Sequence, residues 1–103
     1  MSEKNEQANE HHWRVLVLLL KEIAEQRGLT QGELAEMTGF KQSHISRLFS
    51  LKYAPSLRTF MTVVHALQLN VFFQTRKDND DLNQAFERAM EELGRRPDTL
   101  PKN

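Results

Sequence analysis

The sequence predicts a mainly α-helical chain, a bundle of five helices with one short C-terminal β-strand. Three observations predict it. Apolar residues recur at spacings of three and four over five separate stretches. Glycines and capping residues close and open those stretches. One short run, Val71–Arg76, is instead β-branched and aromatic.

Residues 1–11 are polar and without periodicity, so a mobile arm is expected there. The first helix is expected from His12 to Arg27, with Gly28 as its stop. Trp13, Leu16, Leu20, Ile23 and Arg27 form its inward stripe, broadened by Val17 and Ala24. Val15, Leu18 and Leu19 leave apolar atoms on the other faces, an excess that calls for a second partner surface. Thr30 and Glu33 have the spacing of a capping box opening the second helix, Thr30–Thr38, whose Leu34, Ala35 and Met37 point inward. Gly39 ends it. The third helix, Lys41–Ser50, sets Ile45, Leu48 and Phe49 against the polar Gln42, Ser43, His44 and Arg47. Ser56 caps a fourth helix carrying Leu57, Phe60, Met61, Val64 and Leu67.

The strand Val71–Arg76 has no partner in an otherwise helical chain, and an unpaired edge is a liability. Pairing with the same strand of a second copy resolves this, so Val71, Phe72, Phe73 and Thr75 are expected at a dimer contact. Asp80–Leu93 is the fifth helix, with Leu82, Ala85, Phe86, Ala89, Met90 and Leu93 on one face. The organisation expected is an arm (1–11), a bundle (12–70), a strand-plus-helix extension (71–94) that dimerises or binds a partner, and a flexible tail (95–103).

The chain of 103 residues is formally neutral, with 14 basic and 14 acidic side chains and no cysteine. The distribution matters more than the total. Phe40–Arg58 holds Lys41, Arg47, Lys52 and Arg58 with no acid, whereas Asp78–Gly94 sets six acids against Arg88 alone. The lack of cysteine excludes a disulfide framework and thiolate zinc sites, and fits a cytoplasmic location. The longest apolar run, Val15–Leu20, is far shorter than the roughly 20 residues of a membrane helix. His11-His12 point apart on a helix and lack a second ligand pair, so neither metal nor other cofactor is expected. There is no glycine-rich phosphate loop, no apolar carboxylate pair and no third group to orient Ser43-His44, so catalysis is not expected.

Two short helices joined at Gly39 and flanked by others make a helix-turn-helix arrangement. From Gly28 to Leu48 the pattern G-L-T-Q-x-E-L-A-x-x-T-G-F-x-Q-S-x-I-S-R-L resembles the lambda-repressor/Cro-like (XRE-type) family. P-S-L-x-T-F, from Pro55 to Phe60, resembles that family's fourth helix, and the likeness spans Leu16–Leu69. It implies a DNA-binding bundle whose third helix enters the major groove. Two positions depart from the family. Ala24 and Phe49 stand where relatives place an arginine and an acid in a partly buried pair, an exchange of ions for packing. Leu51 stands where glycine is usual; left-handed backbone costs a leucine about 1 kcal/mol or more, so the third helix is expected to run on through it.

Gln42, Ser43, His44 and Arg47 are the expected base readers: glutamine pairs with adenine, arginine with guanine, and serine or histidine with several acceptors. The resemblance sets Gln31 against the DNA backbone beside Gln42. Lys41, Ser46, Lys52, Tyr53, Ser56, Arg58 and Thr59 flank the reader and suit phosphate. The function expected is a repressor bound to a palindromic operator of double-stranded DNA as a homodimer. The alternative is an antitoxin, or a HipB-like regulator, that represses its own operon and holds a toxin or kinase with the acidic segment Asp78–Glu92. A protein-interaction module that has lost DNA binding is disfavoured by the acid-free basic stretch.

Overall fold

The computed structural model describes residues 3–74 and 81–94. It contains α1 (Glu3–Gln26), α2 (Gln31–Thr38), α3 (Gln42–Phe49), α4 (Leu57–Ala66) and α5 (Asp81–Glu92). Two compact units result, Met1–Leu69 with α1–α4 and Asn70–Asn103 with α5.

In the first unit α1 lies across α3 and α4, while α2 packs on α3 and α4. Its core draws Val17, Leu20 and Ala24 from α1, Leu34 and Ala35 from α2, Ile45, Leu48 and Phe49 from α3, and Val63, Val64 and Leu67 from the α4 end. No charged or polar residue is buried among the described residues. Ala24 and Phe49 both lie in this core, so apolar packing occupies the place of the relatives' ion pair. Burying aliphatic and aromatic side chains of this size contributes about 1.5–3 kcal/mol each.

Several expectations need correction. α1 starts at Glu3 rather than at His12. The arm EKNEQANE has neither glycine nor proline and is rich in good helix formers, so nothing stops the helix from propagating backwards. The buried stripe of α1 runs through Val17, Leu20 and Ala24, and Leu16 is half-exposed. Met37 and Leu57, expected inside, are exposed, because α2 and α4 are short and bury a narrow stripe only. α3 stops at Phe49, and Leu51 adopts the left-handed conformation with φ of 61° after all. Its partly buried side chain packs against the core, which offsets that backbone cost. Val71–Gln74 form no strand: a lone extended segment has no ladder to join within one chain. Thr75 and Arg76 lie outside the described residues.

Several helix ends are closed locally. α1 ends in a Schellman turn in which the Leu29 amide bonds the Ala24 carbonyl and left-handed Gly28 bonds Glu25. α4 ends the same way, Leu69 bonding Val64 and Gln68 bonding His65, but the left-handed residue is Gln68 with φ of 57°. Arg27 donates to the Leu67 carbonyl, tying the C-terminal ends of α1 and α4 together. At the start of α2 the capping box is complete: the Glu33 amide donates to Thr30 Oγ1 and the Thr30 amide to Glu33 Oε1, both at 3.0 Å. In the second unit, Val71, Phe72 and Phe73 line an open apolar groove with Leu82, Ala85, Phe86 and Ala89 of α5.

Gln68→Gly should raise stability by about 0.5–1 kcal/mol, the relief of left-handed strain exceeding the added chain entropy. Chemical denaturation measures it. The Thr30 amide, then the Thr30 side chain, holds the Glu33 carboxyl below the ordinary carboxylate range. Its stabilising contribution is therefore present above that ordinary range and lost as pH falls through the lowered folded value. Unfolding titrations between about pH 7 and pH 3 should show Glu33→Gln losing less stability on acidification than the parent chain.

Candidate nucleic-acid interface

α3 is eight residues long with one apolar face and one polar face. Ile45, Leu48 and Phe49 are buried, so helical geometry turns Ser43 and Arg47 directly away from the core. Ser46 and Gln42 flank that crest on one side and His44 on the other. Gln42, Ser43, Ser46 and Arg47 are exposed, and His44 is half-buried. None lies beneath another segment of its unit.

Neighbouring elements hold two of these side chains. The His44 ring packs on Phe40, with centroids 4.3 Å apart and planes tilted by 38°. Gln42 leans on the start of α2, where its Oε1 lies 3.5 Å from the place a Cβ on Gly32 would occupy. Gln31, half-buried, opens that same helix. The turn that aims α3 is stapled by Thr38, whose hydroxyl donates to the Leu34 carbonyl at 2.9 Å and accepts from the Phe40 amide at 3.2 Å. Left-handed Gly39 completes the turn.

On one side of the crest His44, Arg47, Tyr53, Ser56 and Thr59 line an open cleft of about 370 Å³ between α3 and the start of α4. Gly39, Phe40, Lys41, Ser43, His44 and Arg47 line a depression on the approach from α2. Lys52, Arg58 and Ser46 are exposed but line neither. Lys41 is the N-cap residue of α3 and is exposed; its ammonium has no acceptor to offer a helix-start amide, so that end has no side-chain cap. Ser56 has a structural task already: its hydroxyl accepts from the Thr59 amide at 3.1 Å and donates to Thr59 Oγ1 at 3.0 Å. The first-turn amides of α4 have no carbonyl a turn earlier to bond, so they supply positive potential at this cleft. Val71, Phe72 and Phe73 belong to the second unit and are exposed there.

A helix-turn-helix family model matches residues 20–73, which takes in α2, the turn, α3 and α4. The chain belongs to the lambda-repressor/Cro-like (XRE-type) helix-turn-helix family. As a member of it, the chain is a DNA-binding transcription regulator. No curated protein and no solved structure matches the chain. No helix among the described residues is long and apolar enough to cross a membrane.

One residue near this helix-turn-helix surface escapes sequence reasoning. Arg14 of α1 donates through Nε to the Leu51 carbonyl at 3.3 Å, fixing the left-handed turn from which Lys52 and Tyr53 project. Glu10, one turn earlier, steadies the guanidinium at 3.4 Å. The Arg14–Glu10 spacing is visible in the sequence; the contact with a carbonyl 37 residues away is not. Arg14→Met keeps the aliphatic stem and removes the donor, and should lower unfolding free energy by about 1 kcal/mol in a denaturant titration. A value near zero would mean that water serves the Leu51 carbonyl equally well.

Proposed function

We propose that the chain is a repressor that occupies a palindromic operator as a homodimer, each copy laying α3 in a major groove. The observation that carries this reading is the outward crest of α3. Ser43 and Arg47 stand exposed opposite the buried face of the helix, with Gln42 exposed at its start, within a stretch that has no acid. Gln42, Ser43, His44 and Arg47 read bases. Gln31, Lys41, Ser46, Lys52, Tyr53, Ser56, Arg58 and Thr59 contact the backbone, with Ser56 acting chiefly through the helix start it caps. Two copies related by a two-fold axis span half-sites roughly 34 Å apart. A cytoplasmic location fits this reading and the lack of cysteine.

Selection from random duplexes, followed by footprinting, should return an inverted repeat. On that site Arg47→Ala should cost about 1–3 kcal/mol and relax preference at one base pair per half-site. Lys52→Ala should weaken all sequences alike and lower the log–log salt slope by about 1. Uniform weakening by Arg47→Ala would remove it from the base readers, and a selection returning no motif would end the reading.

A second reading, an antitoxin that also represses its own operon, draws on the second unit. Phe72, Phe73, Phe86 and Leu93 are exposed there, and Glu87, Glu91 and Glu92 project from the same helix as Phe86. Such a mixture of aromatic and acidic groups suits a basic protein partner. An adjacent gene whose product arrests growth unless this chain is co-expressed would establish it.

A further inference from the structure

The core-facing side of α1 leaves a second apolar face on the same helix. Val15, Leu16, Leu18 and Leu19 are 39–53% exposed. Helical geometry puts Val15 and Leu19 along its centre, with Leu16 and Leu18 on the two edges. Along the same line lie Ala8 and His12 before the apolar patch, and Glu22 and Gln26 after it. His11 stands on the edge occupied by Leu18 and Glu22. All of these polar side chains are exposed.

We infer that this face of α1 binds the same face of a second copy in an antiparallel pair, with the two-fold axis passing at the level of Val17. This rests on the two-copy reading above and specifies its protein contact. The pattern is self-complementary in that direction only. Val15 meets Leu19 of the other copy and Ala8 meets Gln26. Glu22 falls beside His11 and His12, whose ring N–H groups donate to a carboxylate. A parallel pair sets Glu22 against Glu22, a like-charge contact that disfavours it. The face is turned away from the side of α1 that packs on α3 and α4, so pairing leaves Gln42–Arg47 uncovered.

The exposed apolar area is roughly 300 Å² per copy, well below the roughly 800 Å² per partner of a standard interface. The polar flanks of a 24-residue helix add to it. The pair is accordingly weak in solution, and a shared operator strengthens it through effective concentration.

Sedimentation equilibrium of the full chain tests this. The parent chain should self-associate, and Leu19→Glu should weaken association at least about tenfold with unchanged helical circular dichroism, since the position is exposed in the single copy. His12→Glu and Glu22→Lys should each weaken it severalfold, and the two together should restore it. Residues 12 and 22 of one chain are roughly 15 Å apart, so the rescue acts between copies. The chain has no cysteine. Oxidising a mixture of Val15→Cys and Leu19→Cys chains should therefore give the mixed disulfide in preference to either homodimer.

A chain that stays monomeric, or a dimer indifferent to Leu19→Glu, overturns the inference. So does loss by Leu19→Glu without charge-exchange rescue or mixed disulfide, which would assign the face to another segment or to a parallel pair. An inverted-repeat footprint bound by two copies survives each of those results, so failure of the α1 contact is distinguishable from failure of the operator reading.

Discussion

Ile45, Leu48 and Phe49 press α3 into the space between α1, α2 and α4, and the other features of the DNA-facing surface follow from that burial. A helix of eight residues does not hold together alone in water, because nucleation is costly and too few hydrogen bonds follow. Packing supplies what length cannot. Once three apolar side chains at this spacing are fixed inside, the rotation of the helix is fixed, and Ser43 and Arg47 have no direction left but outward. The same constraint makes the polar crest rigid. Its side chains move by rotamer changes on a helix that cannot roll, the precision that the proposed reading of base edges calls for.

Local devices defend that arrangement at low cost. Thr30 with Glu33, Thr38 with Gly39, and Ser56 with Thr59 each satisfy backbone groups that short helices would leave bare. Two positions work against the backbone instead. Leu51 and Gln68 are left-handed without being glycine. Leu51 is compensated by its packing and by Arg14 on its carbonyl, whereas Gln68 is exposed and has only the turn's own hydrogen bonds. Replacing the relatives' buried ion pair by Ala24 and Phe49 fits the same economy, since apolar packing there avoids desolvating two charges.

α1 has two apolar faces. One is consumed by the bundle, and the other carries Val15 and Leu19 between polar ends of opposite character. The pair proposed on that face would couple two DNA-binding units without trapping them off DNA, because a shared site would supply the remaining stabilisation. In the Asn70–Asn103 unit Phe72, Phe73 and Phe86 are exposed as well.

Sequence alone determined four of the five helices closely, because caps, glycine stops and three-four apolar spacing are local signals written within a few residues. It also determined the exposed identity of Ser43 and Arg47, since three inward residues on a short helix fix the ones opposite them. Only the tertiary structure decided the rest. That α1 buries Val17 rather than Leu16, that Met37 and Leu57 stay in solvent, and that Leu51 bends backwards all depend on which neighbour is present. The Arg14–Leu51 and Arg27–Leu67 bonds join residues about forty positions apart, a separation at which no local pattern carries information. Val71–Gln74 give the plainest case: β-branched and aromatic composition favours a strand, but a strand exists only where another backbone offers it hydrogen bonds.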